Sequence, residues 1–501
     1  MFWTIALAGA IAAFVHKAAI SQVPVEDERG ALLGLVEQAL ASEPSLMAAK
    51  AELQAAEARL DQSVGGLLPQ IRASANAASN SRNYTTLPQP EDPRAVDPGT
   101  EDDQKAPSRG RAQAQTERGR YKASGGEISM TLPLIRPAAW MDKRQSAILV
   151  EQAASELEAT RQEVVHRVVS AWLDVQSAQL EQALAAQKEL GAAQQLRLVQ
   201  KGATLGAFAQ PELEEAASRV QAARAERLAA NSQLRLRSLA LEHLVGAAVV
   251  VATPPLDGAD QPPWPNLLAA LSADQGEGAL VALEASLLER NPSIKAAELA
   301  FQAAQQAIKR SQAGHLPTLD FTVTVSRNGQ GLGTSAGQPG FRSAVGSVAL
   351  DLRIPLYSGG IDSAKVRESV ARLLAAEHGL EGARRKAVSE LHQAWYAWLV
   401  AKAKMEAGAQ AVRAGEALKR QAEGGLRQGQ KSEIEVMQAR IQWLTALRDL
   451  RLAQSDGLRS AVRVRTLLAD LDPTELLRME PTQALQAFPP AGSTPLLGTS
   501  S

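Results

Sequence analysis

Apolar positions recur every three to four residues over four long stretches of the chain, 141–202, 210–245, 361–428 and 432–471. The pattern predicts four helices, and at 1.5 Å per residue the longer members reach about 90 Å or more, far beyond the diameter of a compact domain. Rods of that length need partners along all of it. In 432–471 one stripe reads Ile434, Met437, Ile441, Leu444 and a second reads Trp443, Leu447, Leu450. Two stripes on one helix predict two neighbours, as in a wall of helices and not a two-stranded coiled coil.

Elsewhere the period shortens to two. Phe321, Val323 and Val325 alternate with Thr322, Thr324 and Ser326, and Val348, Leu350, Leu352, Ile354 and Leu356 alternate with Ala349, Asp351, Arg353 and Pro355. Earlier, Ile128, Met130, Leu132 and Leu134 alternate with Glu127, Ser129, Thr131 and Pro133, and Ile71, Ala73, Ala75 and Ala77 give a weaker version. These predict four half-greasy strands of about ten residues, the length that crosses an outer membrane when tilted. On that reading Leu350, Leu352 and Ile354 point to lipid from one face of their strand and Asp351 faces a lumen. The polar connectors 85–124 and 328–341 read as solvated hairpin loops.

The two halves repeat one another. Glu43-Pro44-Ser45 returns as Asn291-Pro292-Ser293 and Gln54-Ala55-Ala56 as Gln302-Ala303-Ala304, both displaced by 248 residues. The expected organisation is a signal peptide at 1–22, a first repeat at 23–245 (helix, strand, loop, strand, two long helices), a Pro/Gly-rich linker at 246–277, a second repeat at 278–472 and a flexible tail at 473–501. The uncharged apolar run Phe2–Val15 is the length of a signal-peptide core, with a short anchor or a misplaced start codon as the alternatives. Four membrane-length strands cannot close a barrel, because the smallest known single-chain barrels use eight and an open edge in lipid leaves backbone groups unpaired. The chain must therefore oligomerise, giving a lipid-spanning barrel continued by a helical tube.

Composition narrows the chemistry. With 53 Lys+Arg against 54 Asp+Glu the chain lacks the basic footprint of a nucleic-acid binder. Zero cysteines exclude a disulfide scaffold, a thiolate metal site, a Cys nucleophile and a lipidated N-terminal cysteine. The six histidines are scattered without ligand spacing, and Trp172, Trp395, Trp398 and Trp443 fall in helical pattern as core or seam residues. No phosphate loop, nucleophile elbow or perturbed carboxylate pair stands out. We expect no enzyme and no cofactor.

The ordered set of Glu-Pro-Ser and Asn-Pro-Ser openings, Leu68-Pro69 and Leu316-Pro317 strand starts, the Pro355-Leu356-Tyr357-Ser358-Gly359-Gly360 exit and the Gly429-x-x-Ser432-x-x-Glu435-Val436 turn resembles the TolC outer-membrane channel family over about residues 30–472. The resemblance implies a mainly α fold with a membrane β-barrel contribution. In it, long antiparallel helices form a periplasmic tunnel, and four strands per protomer form a twelve-stranded barrel in a homotrimer. It places the chain in the cell outer membrane. It implies as partners outer-membrane lipid, a periplasmic adaptor (membrane fusion) protein and an inner-membrane ABC transporter, or a proton-driven pump in the family's other branch. Thr131-Leu132-Pro133-Leu134-Ile135-Arg136-Pro137-Ala138 looks like the type I protein-secretion branch. Multidrug or metal efflux is the alternative within the family, and a periplasmic coiled-coil adaptor or scaffold is the alternative of another class.

The same resemblance makes the turns Gly206–Leu213 and Gly429–Val436 a tunnel mouth, closed by a network of Glu212, Lys431 and Glu435. Local chemistry offers a second role for these residues. Ser432 with Glu435 is a capping box, and Pro211 with Glu212 suits a first helical turn. Leu426 stands where the family pattern expects an aromatic gate partner and Gln438 where it expects a second acid, so the iris is weaker here.

Overall fold

The computed structural model describes residues 28–86, 115–249, 251, 277–331 and 340–471. The expected signal peptide, most of the inter-repeat linker, residues 87–114 of the first connector and the C-terminal tail lie outside them. One order of elements occurs twice. First come α1 (Glu28–Ser42), α2 (Pro44–Gly65), β1 (Gln70–Thr86), β2 (Gln115–Ile135), α3 (Pro137–Thr204) and α4 (Gln210–Val245). Then follow α5 (Glu277–Arg290), α6 (Pro292–Gln312), a 3-10 turn (Ala313–His315), β3 (Thr318–Gln330), β4 (Phe341–Arg353), α7 (Ile361–Arg427) and α8 (Glu433–Leu467).

The single helix expected ahead of each strand pair is two helices, broken at the repeated Pro-Ser. A proline disfavours helical backbone in the residue before it yet suits the first helical turn itself, so Glu43 and Asn291 become caps. The Glu43 carboxylate accepts from the Ser45 N–H at 2.5 Å and from Arg167 of α3 at 2.9 Å. The Asn291 side chain accepts from the Ile294 N–H at 3.0 Å and donates to the Leu467 carbonyl of α8 at 2.8 Å. Both residues are buried, and their bonds tie each break to a long helix.

The chain divides into two compact units, and neither coincides with a sequence repeat. The helical unit comprises the described residues that fall within Met1–Glu57, Ile148–Gln302 and Leu374–Ser501. Its largest core packs Leu32 and Val36 of α1 with Val164, Val168 and Trp172 of α3, Leu241 and Val245 of α4, and Leu458 and Val462 of α8. A second gathers Leu287, Ile294, Leu391, Val464 and Leu467. The two stripes of α8 do meet two helices. Met437 and Ile441 close on Gly191 of α3, while Trp443 and Leu450 press on Gly415 and Gly408 of α7. Arginines of α8 add polar ties. Arg463 bridges Glu163 of α3 at 2.6 Å and Glu390 of α7 at 2.8 Å, and Arg459 shares Asp174 of α3 with Arg237 of α4. His166, among these arginines, is held down at about 4 by burial and by the Arg463 charge, so it stays neutral beside them.

The sheet unit comprises Ala58–Ala147 and Ala303–Leu373, and its four strands run in the order β1-β2-β3-β4, each antiparallel to the next. The strands are longer than the ten residues expected, at 17, 21, 13 and 13. In particular β2 begins at Gln115, inside the stretch 85–124 read as loop, because ladder hydrogen bonds need no apolar alternation once β1 runs alongside. Two side-chain assignments change. β4 ends at Arg353, leaving Ile354 and Leu356 beyond the strand. A bulge between Pro133 and Ile135 shifts the alternation by one, so Ile135 and not Leu134 pairs with Leu319.

Candidate functional site

Directly opposed residues of an antiparallel ladder share a face, so the register sorts the side chains without further assumption. One face carries Ile71, Ala73 and Ala75 of β1, Ile128, Met130 and Leu132 of β2, Leu319, Phe321, Val323 and Val325 of β3, and Val348, Leu350 and Leu352 of β4. Many of these side chains are open to the surroundings, Ile71 at 70%, Val348 at 69% and Leu350 at 64% exposure. The other face carries Arg72, Ser74, Glu127, Ser129, Thr322, Thr324, Asp320 and Asp351. There Arg136, just past the end of β2, grips the buried Asp320 carboxylate with two bonds of 2.9 and 3.0 Å, and the Thr322 hydroxyl donates to Asp351 at 3.0 Å. A broad greasy face is thus exposed, the reverse of a water-soluble sheet, while on the polar face Asp320 and Asp351 find partners. Among the described residues the outer strands β1 and β4 each pair on one side only.

Of the three sequence-predicted lipid contacts, Leu350 and Leu352 stand on the apolar face, and exposed Ile354 follows the strand end. Leu352 pairs with Leu319 in the row nearest the helices, whereas Val348 pairs with Val323 two rows farther on. Val323 in turn pairs with Met130, and Met130 with Ile71, so the middle of the face is a four-residue apolar row.

The two helix turns are built alike, residue for residue, at a displacement of 223. Each long helix ends on a glycine in the left-handed region, Gly206 (φ 74°) and Gly429 (φ 72°). The N–H of the following residue, Ala207 or Gln430, returns to the carbonyl of Gly202 or Gly425 at 2.8 Å. That geometry is the common glycine stop of a helix. The residue before each new helix's cap then lies across the earlier glycine. A Cβ at Gly202 would fall 2.3 Å from the Phe208 ring, and one at Gly425 would fall 2.8 Å from Lys431 Cγ. Sequence reasoning overlooked this seat, although the spacing Gly202-x-x-x-Gly206 and Gly425-x-x-x-Gly429 signals it.

Glu212 and Glu435 occupy the same position of their turns. The Glu212 carboxylate accepts from the Ala209 N–H at 3.0 Å, which is half a capping box, since Ala209 has no side-chain oxygen to return the bond. At the second turn the box is complete. The Ser432 N–H donates to Glu435 at 2.7 Å, and Ser432 Oγ accepts from the Glu435 N–H at 3.3 Å. The Ser432 backbone N–H, and after it the Ser432 hydroxyl, which donates to the same carboxylate at 3.0 Å, hold the Glu435 carboxyl below the usual carboxylate range, with a smaller contribution from Lys431. Stability from Glu435 is therefore present above the unfolded-state value and lost as pH falls through the lower folded one. Glu435→Gln should flatten the acid limb of thermal stability between about pH 5 and 3, and Ser432→Ala should cost about 1 kcal/mol near neutrality. A denaturation series against pH checks both. Among the described residues no ion pair within 4 Å joins Lys431 to Glu212 or Glu435 in one chain.

Comparison with known proteins gives concordant results. A family model described as outer membrane efflux protein matches residues 35–247 and 283–470. The chain is similar to the proteases secretion protein PrtF of Dickeya chrysanthemi, 24% identical over 448 residues that cover 89% of this chain and 90% of that protein. It is also similar to the alkaline protease secretion protein AprF of Pseudomonas aeruginosa, 22% identical over 366 residues, 71% of this chain and 72% of that one. In fold it matches the CmeC outer membrane channel of Campylobacter jejuni with a TM-score of 0.65, covering 89% of this chain and 88% of that one at 15% identity.

Proposed function

The chain belongs to the outer membrane efflux protein family, and from that premise we propose that it is the outer-membrane conduit of a type I protein-secretion assembly. Membership makes it an outer-membrane channel that extends into the periplasm, and not an enzyme; the reading as a periplasmic adaptor is set aside on the same ground. For the cargo, the support is the likeness to two protease secretion proteins, one along nearly the whole of both chains. For the assembly, the observation that carries the reading is a sheet with one apolar exposed face and two unpaired edges, β1 and β4. Lipid offers no partner to an open edge, so copies must join β4 to β1, and three copies give a twelve-stranded barrel. Its lipid face is the one bearing Leu350 and Leu352. The eight residue-to-residue steps from Leu352 to Ala344, at about 3.4 Å each and tilted about 40°, span about 20 Å of membrane, close to the usual apolar band. A periplasmic adaptor and an inner-membrane ABC transporter supply cargo from below.

Removing the chain from its own cells tests this reading. The expected result is loss of one or more proteins from the medium with drug and metal tolerance unchanged. The converse result would assign it to small-molecule efflux.

At the tunnel mouth, Glu212, Lys431 and Glu435 act as a latch between neighbouring copies, since none of them pairs with another within one chain. An exposed ion pair is worth about 1 kcal/mol or less, so the latch gains its hold from threefold repetition. Lys431→Ser with Glu212→Ala is expected to raise single-channel conductance several-fold in planar bilayers. Glu435→Ala should chiefly lower cation preference, because three carboxylates at a constriction concentrate cations. Unchanged conductance in a folded double variant would leave these residues as caps alone.

A further inference from the structure

Followed from the helix end of the sheet to its hairpin end, the apolar face turns cationic. Beyond the row of Val325 and Ile128, Arg327 pairs with Gly126 and Ala344, and the next row brings Arg342 opposite Gly329 and Ser124. β1 and β2 continue past β3 as a two-stranded ribbon, in which Lys122 pairs with Ser79 and Arg120 with Ser81. The β1–β2 register is unbroken from Thr131 to Gln115, so Lys122 and Arg120 stand on the same face as Ile128 and Met130. All four cations are exposed. Among the described side chains of the four strands that face carries no Asp or Glu; the acids Glu127, Asp320 and Asp351 all fall on the other. Lys122, Arg327 and Arg342 make no ion pair within 4 Å among the described residues.

We infer that Arg120, Lys122, Arg327 and Arg342 form a belt that binds the phosphorylated headgroups of outer-leaflet lipid. The inference rests on the lipid-face reading above. In a channel whose helices stand in the periplasm, the hairpin end of each strand pair meets the outer leaflet. Acyl chains lie against Val323, Val325 and Ile128, and one continuous surface then offers guanidinium forks and an ammonium at headgroup height. Guanidinium matches a phosphate with two parallel hydrogen bonds, and at an anionic surface each cation strengthens attachment about fivefold. Like charges without acids between them repel one another in the lone protein, and phosphate removes that repulsion.

The test uses the detergent-extracted, assembled protein with diphosphoryl lipid A as the anionic probe and phosphatidylcholine as the neutral one, both read by native mass measurement. Wild type is expected to retain lipid A preferentially, with retention falling in high salt. Lys122→Gln/Arg327→Gln/Arg342→Gln should weaken lipid A binding on the order of a hundredfold while phosphatidylcholine binding stays unchanged. Arg72→Gln, on the opposite face, should alter neither. Equal lipid A binding by the triple variant and wild type overturns the belt, as does full competition by inorganic phosphate, which would make the ligand a soluble anion. Failure of the lipid face itself reads differently, as loss of preference for either lipid over bare detergent in wild type. Should the triple variant not assemble, Arg327→Gln and Arg342→Gln singly carry the test, each with a severalfold loss expected.

Discussion

Val348→Arg is expected to deplete folded channel from the outer membrane, while Leu352→Arg leaves most of it in place. Both positions stand on the apolar face of β4, four residues apart. Val348 lies in the central row with Val323, Met130 and Ile71, and Leu352 lies in the row next to the helices, beside Arg353. A cation on the lipid face of a barrel costs about 2–4 kcal/mol at the midplane and about 0–1 near an interface, where a long side chain reaches water. In the proposed trimer the central cost is incurred once per copy, three times over. Asp351→Asn, on the polar face, should be tolerated. The check is the amount of folded, heat-sensitive oligomer in extracted outer membranes; equal amounts for Val348→Arg and wild type would remove that face from lipid.

The second large effect lies between α7 and α8. A Cβ at Gly415 would come 3.1 Å from Trp443 Cα, and one at Gly408 would come 3.3 Å from Leu450 Cα. Backbone cannot swing aside as a side chain can, so a larger residue must push the helices apart along their shared stripe. Gly415→Val or Gly408→Val should each cost about 1–3 kcal/mol through overpacking, and both together more than either alone. Gly382 of the same helix has nothing within 4 Å of its would-be Cβ. There Gly→Ala should change sign and stabilise by up to about 1 kcal/mol, by relieving the conformational freedom of glycine in a helix interior. Thermal unfolding of the assembled protein at fixed concentration compares the three. Matching midpoints for Gly415→Val and Gly382→Ala would mean that the close approach at Trp443 does not constrain packing.

These expectations divide according to where their information lay. Helix and strand periods are properties of consecutive residues, so the four long helices, the two stripes of α8 and the alternation of β3 and β4 were legible directly. The Ser432–Glu435 cap was legible for the same reason, since all its partners lie within four residues. Glu212 and Lys431 are marked by the family resemblance alone, and among the described residues one chain joins them by no ion pair; the proposed latch needs a second copy, which a single sequence does not display. Pairing across the sheet was not legible. Only the register places Val348 in the middle row of the sheet and Leu352 in the row at its helix end, exchanges Leu134 for Ile135 through a bulge, and sets Arg327 and Arg342 on one face with Lys122, which lies some two hundred residues earlier in the chain. A strand's own sequence states which residues alternate, but the face and height they occupy depend on a partner distant in sequence. Glycines tell the same story. Gly382 and Gly415 are indistinguishable as letters, and the tertiary structure alone decides that one faces open space and the other the backbone of a neighbouring helix.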